Sequence, residues 1–312
     1  MYTTIPGLIY PHEAPVPAKE ARWLVPGILR HGVPAALVGH GEEGKGCLLT
    51  DLALAVAAGA TWMGRPCDQG KVLILSAEDD GEELLSRLHD IAAMYSPGDR
   101  RLENILLYAT ADAGVSPSLF NSNMAPGLLL NRLEEIVAAH RPSLVILDTL
   151  AALGPAGADL TGSSTATQYI TGLMSALQPT PTVLFSHHLR KPGGREKDGE
   201  RRPGVHDMRD SSAIAASMRC VMILHNKGLS VDKCNGRRRT KPAYVVPNTN
   251  VFRLEWECAP GAQNGALRPV LDAHGRPVIV ESATTGHAIQ RLDNAIAQSC
   301  KGEWKTGWRV NV

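Results

Sequence analysis

Short apolar runs alternate along most of this chain with longer segments whose apolar residues recur every three or four positions. The runs at 35–38, 71–77 (KVLILSA), 105–108, 144–148 (LVILD) and 182–186 (TVLFS) read as strands. Between them, helical spacing appears over 47–58, 81–95, 128–140 and about 168–177. Leu84, Leu88, Ile91 and Tyr95 share one face of the second segment, and Leu129, Leu133, Ile136 and Val137 one face of the third. The strand runs show no polar alternation, so both of their faces are to be covered, which is the pattern of a parallel sheet sandwiched by helices. Strand–helix alternation of this kind predicts a doubly wound α/β domain.

The later chain changes character. Runs at 220–224, 243–246 and 251–256 are shorter and lie at hairpin or sheet-extension spacing, predicting antiparallel strands added to the sheet. Residues 1–22 carry Pro6, Pro11, Pro15 and Pro17 without period and read as an extended arm. Beyond 258, Gly, Pro and Ala dominate apart from a helical stretch over 287–299, so 259–312 reads as a tail or small appended element. The core domain is thus expected over 23–258.

Composition changes this picture little. Apolar residues make up 44% and charged ones 20% of 312, and the formal charge of +1 excludes a wholly basic nucleic-acid-binding surface while leaving room for local patches. No run is long enough for a membrane span and no charged-then-apolar opening is present, which predicts a cytoplasmic protein. The six cysteines are scattered without C-x-x-C pairs, favouring reduced thiols over a disulfide framework or zinc site.

The chemistry concentrates after the first strand. Residues 36–47 (ALVGHGEEGKGC) run from strand into a glycine-rich turn and then into the apolar helix. Such a turn lets backbone N–H groups converge on an anion at the positive end of a helix dipole, with one lysine to neutralise the outer phosphates. Gly39, His40, Gly41, Glu42, Glu43, Gly44, Lys45, Gly46 and Cys47 form this nucleotide cradle, and Gly39 to Lys45 fit G-x-x-x-x-G-K. The next position is Gly46 where Ser or Thr normally supplies a hydroxyl to Mg²⁺, and Thr50 lies a turn too far on to replace it.

Ligands of open α/β sheets sit beyond the carboxyl ends of the strands, and this chain places polar residues there. Asp148 closes LVILD and is placed to hold Mg²⁺ as a Walker-B aspartate, or to cap the next segment. Glu78 follows the 71–77 strand as the candidate general base, whereas Asp79 and Asp80 equally suit a helix N-terminus. His187 and His188 follow the TVLFS run. A neighbouring pair in a strand points to opposite faces and chelates poorly, so His187 reads as a γ-phosphate sensor rather than a metal ligand. Two cationic clusters, one with Arg190, Lys191, Arg195 and Lys197 and another with Arg237, Arg238 and Arg239, either track a nucleic-acid backbone or form solvated loops.

Taken together, the lead-in at 24–28 (LVPGI), the cradle, 75–79 (LSAED), 145–149 (VILDT), 185–188 (FSHH) and 209–213 (RDSSA) resemble the RecA-like P-loop ATPases of the plasmid RepA type, within the hexameric replicative-helicase family and its phage relatives. The resemblance covers about Trp23 to Trp256. It implies a RecA-like core, ATP and Mg²⁺ as cofactors, Glu78 as catalytic glutamate, Asp148 as Walker-B acid and His187 as sensor. It further implies that Arg209 is an arginine finger reaching a neighbouring subunit, that Lys241 lies near the subunit boundary, and that six copies form a ring on single-stranded DNA. Four departures stand out: Gly46, Glu42 and Glu43 in the cradle, and Asp210 where the RepA pattern has glycine. They leave open a slow ATPase or a nucleotide-gated regulator with little turnover. A recombination or annealing ATPase is a further alternative, and a small-molecule kinase fits the strand-end histidines poorly.

Overall fold

The computed structural model describes residues 22–63, 65–95, 100–190, 203–210, 212–225 and 228–234, with strand segments at 250–254, 256–258, 267–269 and 279–281. The strands are β1 (Trp23–Val25), β2 (Leu29–Arg30), β3 (Pro34–Gly39), β4 (Thr61–Trp62), β5 (Arg65–Pro66), β6 (Val72–Ser76), β7 (Ile105–Ala109), β8 (Leu144–Asp148), β9 (Thr182–His188), β10 (Cys220–His225), β11 (Gly228–Cys234), β12 (Asn250–Leu254), β13 (Trp256–Cys258), β14 (Leu267–Pro269) and β15 (Ile279–Glu281). The α-helices are α1 (Lys45–Ala58), α2 (Gly81–Ala92), α3 (Thr110–Ala113), α4 (Leu128–His140), α5 (Ser163–Ala176) and α6 (Ser212–Ser217).

One sheet of nine strands, in the order β15-β12-β11-β10-β3-β9-β8-β6-β7, organises the molecule. From β10 to β7 every pairing is parallel, and β11, β12 and β15 extend it antiparallel. Successive residues of a strand face opposite sides, and both sides are apolar. Leu37, Ile74, Ile146, Leu184 and Met222 pack with α1 and Leu84 of α2, whereas Val38, Leu75, Leu147, Phe185 and Ile223 pack with residues of α4, α5 and α6. That double covering is why the strand runs carry no polar alternation.

The five core strands and the helices over 81–95 and 128–140 lie close to their expected spans. Helix α5 begins at Ser163, five residues ahead of expectation, because its first turn is built of Ser and Thr that carry no apolar period. The run expected at 251–256 divides into β12, which joins the main sheet, and β13, which pairs with β14. Within the stretch expected to be a tail, β15 pairs with β12 and so joins the main sheet. The arm 1–21, the strand at 243–246 and the helix at 287–299 lie outside the described residues.

Helix α1 is apolar all round, as a helix laid across a sheet under a second layer must be. Besides Lys45 and Thr50 at its start it buries Asp51 completely, which accepts hydrogen bonds from Trp62 Nε1 at 3.1 Å and the Tyr95 hydroxyl at 2.5 Å. Burial pushes this carboxyl up to about 6, with the two donors acting in the opposite direction.

Candidate nucleotide-binding and hydrolysis site

The cradle forms at the C-terminal end of β3. Gly39 is its last residue, and a Cβ there would stand 3.0 Å from the Leu224 carbonyl oxygen on β10, so the loop leaves the sheet in close contact with the neighbouring strand's backbone. Gly44 turns into α1 with a φ of 86°, a left-handed conformation open to glycine at no steric cost. Glu42 adopts φ 61° and is exposed. Glu43 turns inward: its Oε2 accepts from the His40 N–H at 2.8 Å, and its Oε1 lies 3.8 Å from His225 Nδ1. A carboxylate of the loop itself thus occupies one of the loop amides.

Lys45 opens α1 and is buried, with Nζ donating to the carbonyls of His40 at 2.6 Å and Gly39 at 3.2 Å. Burial lowers its pKa, while Asp148, Glu43 and Glu78 act to keep it charged. These three carboxylates come from separate chain segments, so Lys45 is the charge on which the site converges.

At the neighbouring strand ends each acid has a distinct occupation. The Ser76 hydroxyl accepts from the N–H groups of Glu78 (3.2 Å) and Asp79 (2.9 Å), turning the chain sharply off β6. Asp80 is the N-cap of α2, accepting from Glu83 N–H at 2.9 Å. Asp79 pairs with Arg87 at 2.7 Å. Glu78 is left exposed at the site, its Oε1 accepting from the Thr149 hydroxyl at 2.9 Å. Burial pushes the Asp148 carboxyl up, and the nearby Glu78 and Asp79 push the same way.

The two histidines of β9 point apart. His187 is fully buried and its Nε2 lies 2.9 Å from the Arg209 carbonyl oxygen, with Asp210 at 3.8 Å. His188 is the register partner of Gly39 and lies within the fields of Lys45 and Glu78. Burial lowers the pKa of both imidazoles. The backbone continues the connection: Leu189 N–H donates to Gly39 and Arg209 N–H to His188. The Arg209 side chain is 60% exposed. Asp210 takes φ 66°, the left-handed conformation that accounts for glycine at this place in the RepA pattern.

The implied Mg²⁺ does not fit this loop in the usual way. Gly46 brings no hydroxyl, and the Thr50 hydroxyl, one turn on, donates to the Gly46 carbonyl at 2.9 Å. A Cβ at Gly46 would fall 2.8 Å from Arg87 Nη1, so a guanidinium stands where the hydroxyl side chain would be. Cys47 is a half-buried thiol, a soft donor whose pKa burial raises, and no cluster of three His, Cys, Asp or Glu side chains with metal-site geometry occurs among the described residues.

Sequence reasoning missed Thr149, Arg87 and the placement of His188. Alternation along β9 was the available signal for the last. Arg87 lies in the middle of α2 and Asp79 just ahead of its N-cap, and nothing in that spacing sets the guanidinium against Gly46. Of the expected cationic residues, Arg190 is exposed and its N–H donates to Asp207, while Lys191, Arg195, Lys197, Arg237, Arg238, Arg239 and Lys241 lie outside the described residues.

A glycine loop between β3 and α1, an acid at the end of β8 with β9 between the two strands, and a glutamate off β6 define a RecA-like P-loop ATPase domain. Comparison with protein-family models agrees: the model described as "AAA domain" (AAA_25) matches residues 11–194, more than half of the 312, and the chain belongs to that family. Comparison with curated protein sequences returns no match. Among solved structures, one described as an ATPase domain is similar at 15% identity with a TM-score of 0.49, covering 71% of this chain and 81% of that one. No described helix is long and apolar enough to cross a membrane.

Proposed function

We propose that this chain hydrolyses ATP as one subunit of a cytoplasmic ring, hexameric by resemblance, and couples that cycle to movement along single-stranded DNA as a replicative-helicase-type motor. The observation that carries the reading is the backbone connection from the cradle to Arg209. Gly39 is bonded to Leu189, His188 to Arg209, and the Arg209 side chain, with Nε 3.6 Å from Asp210 Oδ1, is exposed enough for a neighbouring subunit's nucleotide to meet it. In this mechanism Lys45 and the loop amides hold the phosphates. Glu78, oriented by Thr149, takes the proton of the attacking water. Arg209 stabilises the charge that develops on the partner's γ-phosphate. His187, held on the Arg209 carbonyl, couples the end of β9 to the finger. The cationic segments with Arg190, Lys191, Arg195, Lys197 and Arg237, Arg238, Arg239 track the DNA backbone, and Lys241 lies at the subunit boundary.

A second reading, a nucleotide-gated regulator with little turnover, is favoured by Arg87 standing at Gly46. Steady-state phosphate release with and without single-stranded DNA, beside Lys45→Ala, separates the two. Turnover that rises with DNA and vanishes in the variant supports the motor. Nucleotide binding without turnover sinks the motor and supports the regulator.

A further inference from the structure

We propose that the Arg87 guanidinium takes the place of the missing loop hydroxyl and its metal, binding the β- and γ-phosphates directly, so that this chain binds nucleoside triphosphate without a divalent cation. The inference rests on the nucleotide-binding reading above and names the group that completes the site.

Three observations carry it. The first is position: a Cβ at Gly46 would stand 2.8 Å from Arg87 Nη1 and 3.2 Å from Cζ, so the guanidinium and a serine or threonine at 46 compete for one space. Glycine at this place leaves that space to the guanidinium without any shift of the side chain. The second is fixation. Arg87 Nη1 is paired with Asp79 at 2.7 Å, and Asp79 is itself tied through its N–H to Ser76 at the end of β6. The side chain is thus held from the catalytic strand, yet 25% of it remains exposed toward solvent. The third is valence. A guanidinium has five N–H donors and Asp79 engages it through one nitrogen, leaving a fork that matches two phosphate oxygens.

The neighbouring acids suit this arrangement. Asp79 neutralises the guanidinium in the absence of nucleotide. An entering triphosphate then meets two cations, Lys45 of the loop and the guanidinium beside Gly46.

The test is equilibrium binding of a fluorescent ATP analogue to the full chain, in EDTA and in excess Mg²⁺. The wild type is expected to bind equally well in both. Arg87→Ala is expected to weaken metal-free binding by about tenfold to a hundredfold, with Arg87→Lys in between. The pair Gly46→Ser/Arg87→Ala is expected to bind in Mg²⁺ and to release nucleotide on chelation. Gly46→Ser alone, which pushes the guanidinium aside, is expected to weaken metal-free binding. Should Arg87→Ala not fold, the wild-type chelation arm and Gly46→Ser still decide the matter. A wild type that loses tenfold or more of its affinity in EDTA overturns the proposal. So does an Arg87→Ala variant that is equally weakened with and without metal while Gly46→Ser/Arg87→Ala stays metal-independent, because Arg87 would then only brace the loop. A wild type that binds no nucleotide under either condition, or a Lys45→Ala variant that binds as the wild type does, overturns the nucleotide-binding reading instead.

Discussion

The cradle after β3 and the acid cluster after β6 and β8 lie side by side but are built on different principles. The cradle is made by consecutive residues, and its function resides in backbone N–H groups, a left-handed turn at Gly44 and one lysine. The cluster is assembled from residues far apart in the chain: Thr149 positions Glu78 across 71 positions, and Arg87 reaches back to Gly46. A local device survives wherever its short segment folds. A convergent one depends on the register of parallel strands, since β6 and β8 must align Ser76 with Asp148 for the acids to meet. Binding and chemistry therefore have separate structural supports in one site, and single substitutions are expected to separate them.

The largest expected effect falls on the convergent side. Arg209→Ala is expected to lower ATP turnover of the assembled protein by about 10³–10⁵-fold with nucleotide affinity unchanged, as measured by phosphate release beside equilibrium binding. Mixing this variant with Lys45→Ala subunits sharpens the point. Some activity is expected to return, because a subunit with an intact cradle then meets a neighbour with an intact finger. Absence of any recovery would argue against a finger supplied in trans.

Glu78→Gln follows, with turnover expected to drop about 10²–10⁴-fold while ATP binding persists. An equal loss of binding would place Glu78 in the cradle rather than in the chemistry.

The cradle's own helix provides the next test, this time of stability. Asp51 titrates near 6 when folded against 3.8 for the ordinary group. Between those values the folded state holds more protons than the unfolded one, so this contribution is fully present below about pH 4 and is lost as pH rises through 6. The difference amounts to about 3 kcal/mol. Denaturant melts of wild type against Asp51→Asn across that window are expected to show the wild type losing stability relative to the variant as pH rises. Parallel curves would show that the carboxyl is already ionised in the fold.

The smallest expected effect belongs to Thr149. Thr149→Val removes one hydrogen bond to Glu78 and is expected to lower kcat about tenfold with KM for ATP unchanged, and Thr149→Ser to restore it. A rise in KM instead would mean that Thr149 supports the loop and not the base.

How much of this was legible follows the same division. The strands around LVILD and TVLFS, the helix faces carrying Leu84 and Leu129, and the cradle could all be read because each is specified by neighbours in the chain. Asp80 as a helix cap and Glu78 off the strand were legible for the same reason. The division of labour within the histidine pair was not resolved by their adjacency. It depends on which face of β9 lies against Gly39 and which against Arg209, and that is a property of the whole sheet. Gly46 shows the limit most clearly. As a letter in a motif it is a missing hydroxyl, whereas in the fold it is the space into which Arg87 projects.

From the chain alone followed the α/β class, the phosphate loop and the acids at the strand ends, because apolar periodicity and glycine turns act over a few residues. Folding added the partners of Glu78 and Asp79, the exposure of Arg209 and the guanidinium at Gly46. Those depend on the packing of α2 beside α1 and on strand register, contacts between segments too far apart in sequence for any local pattern to record.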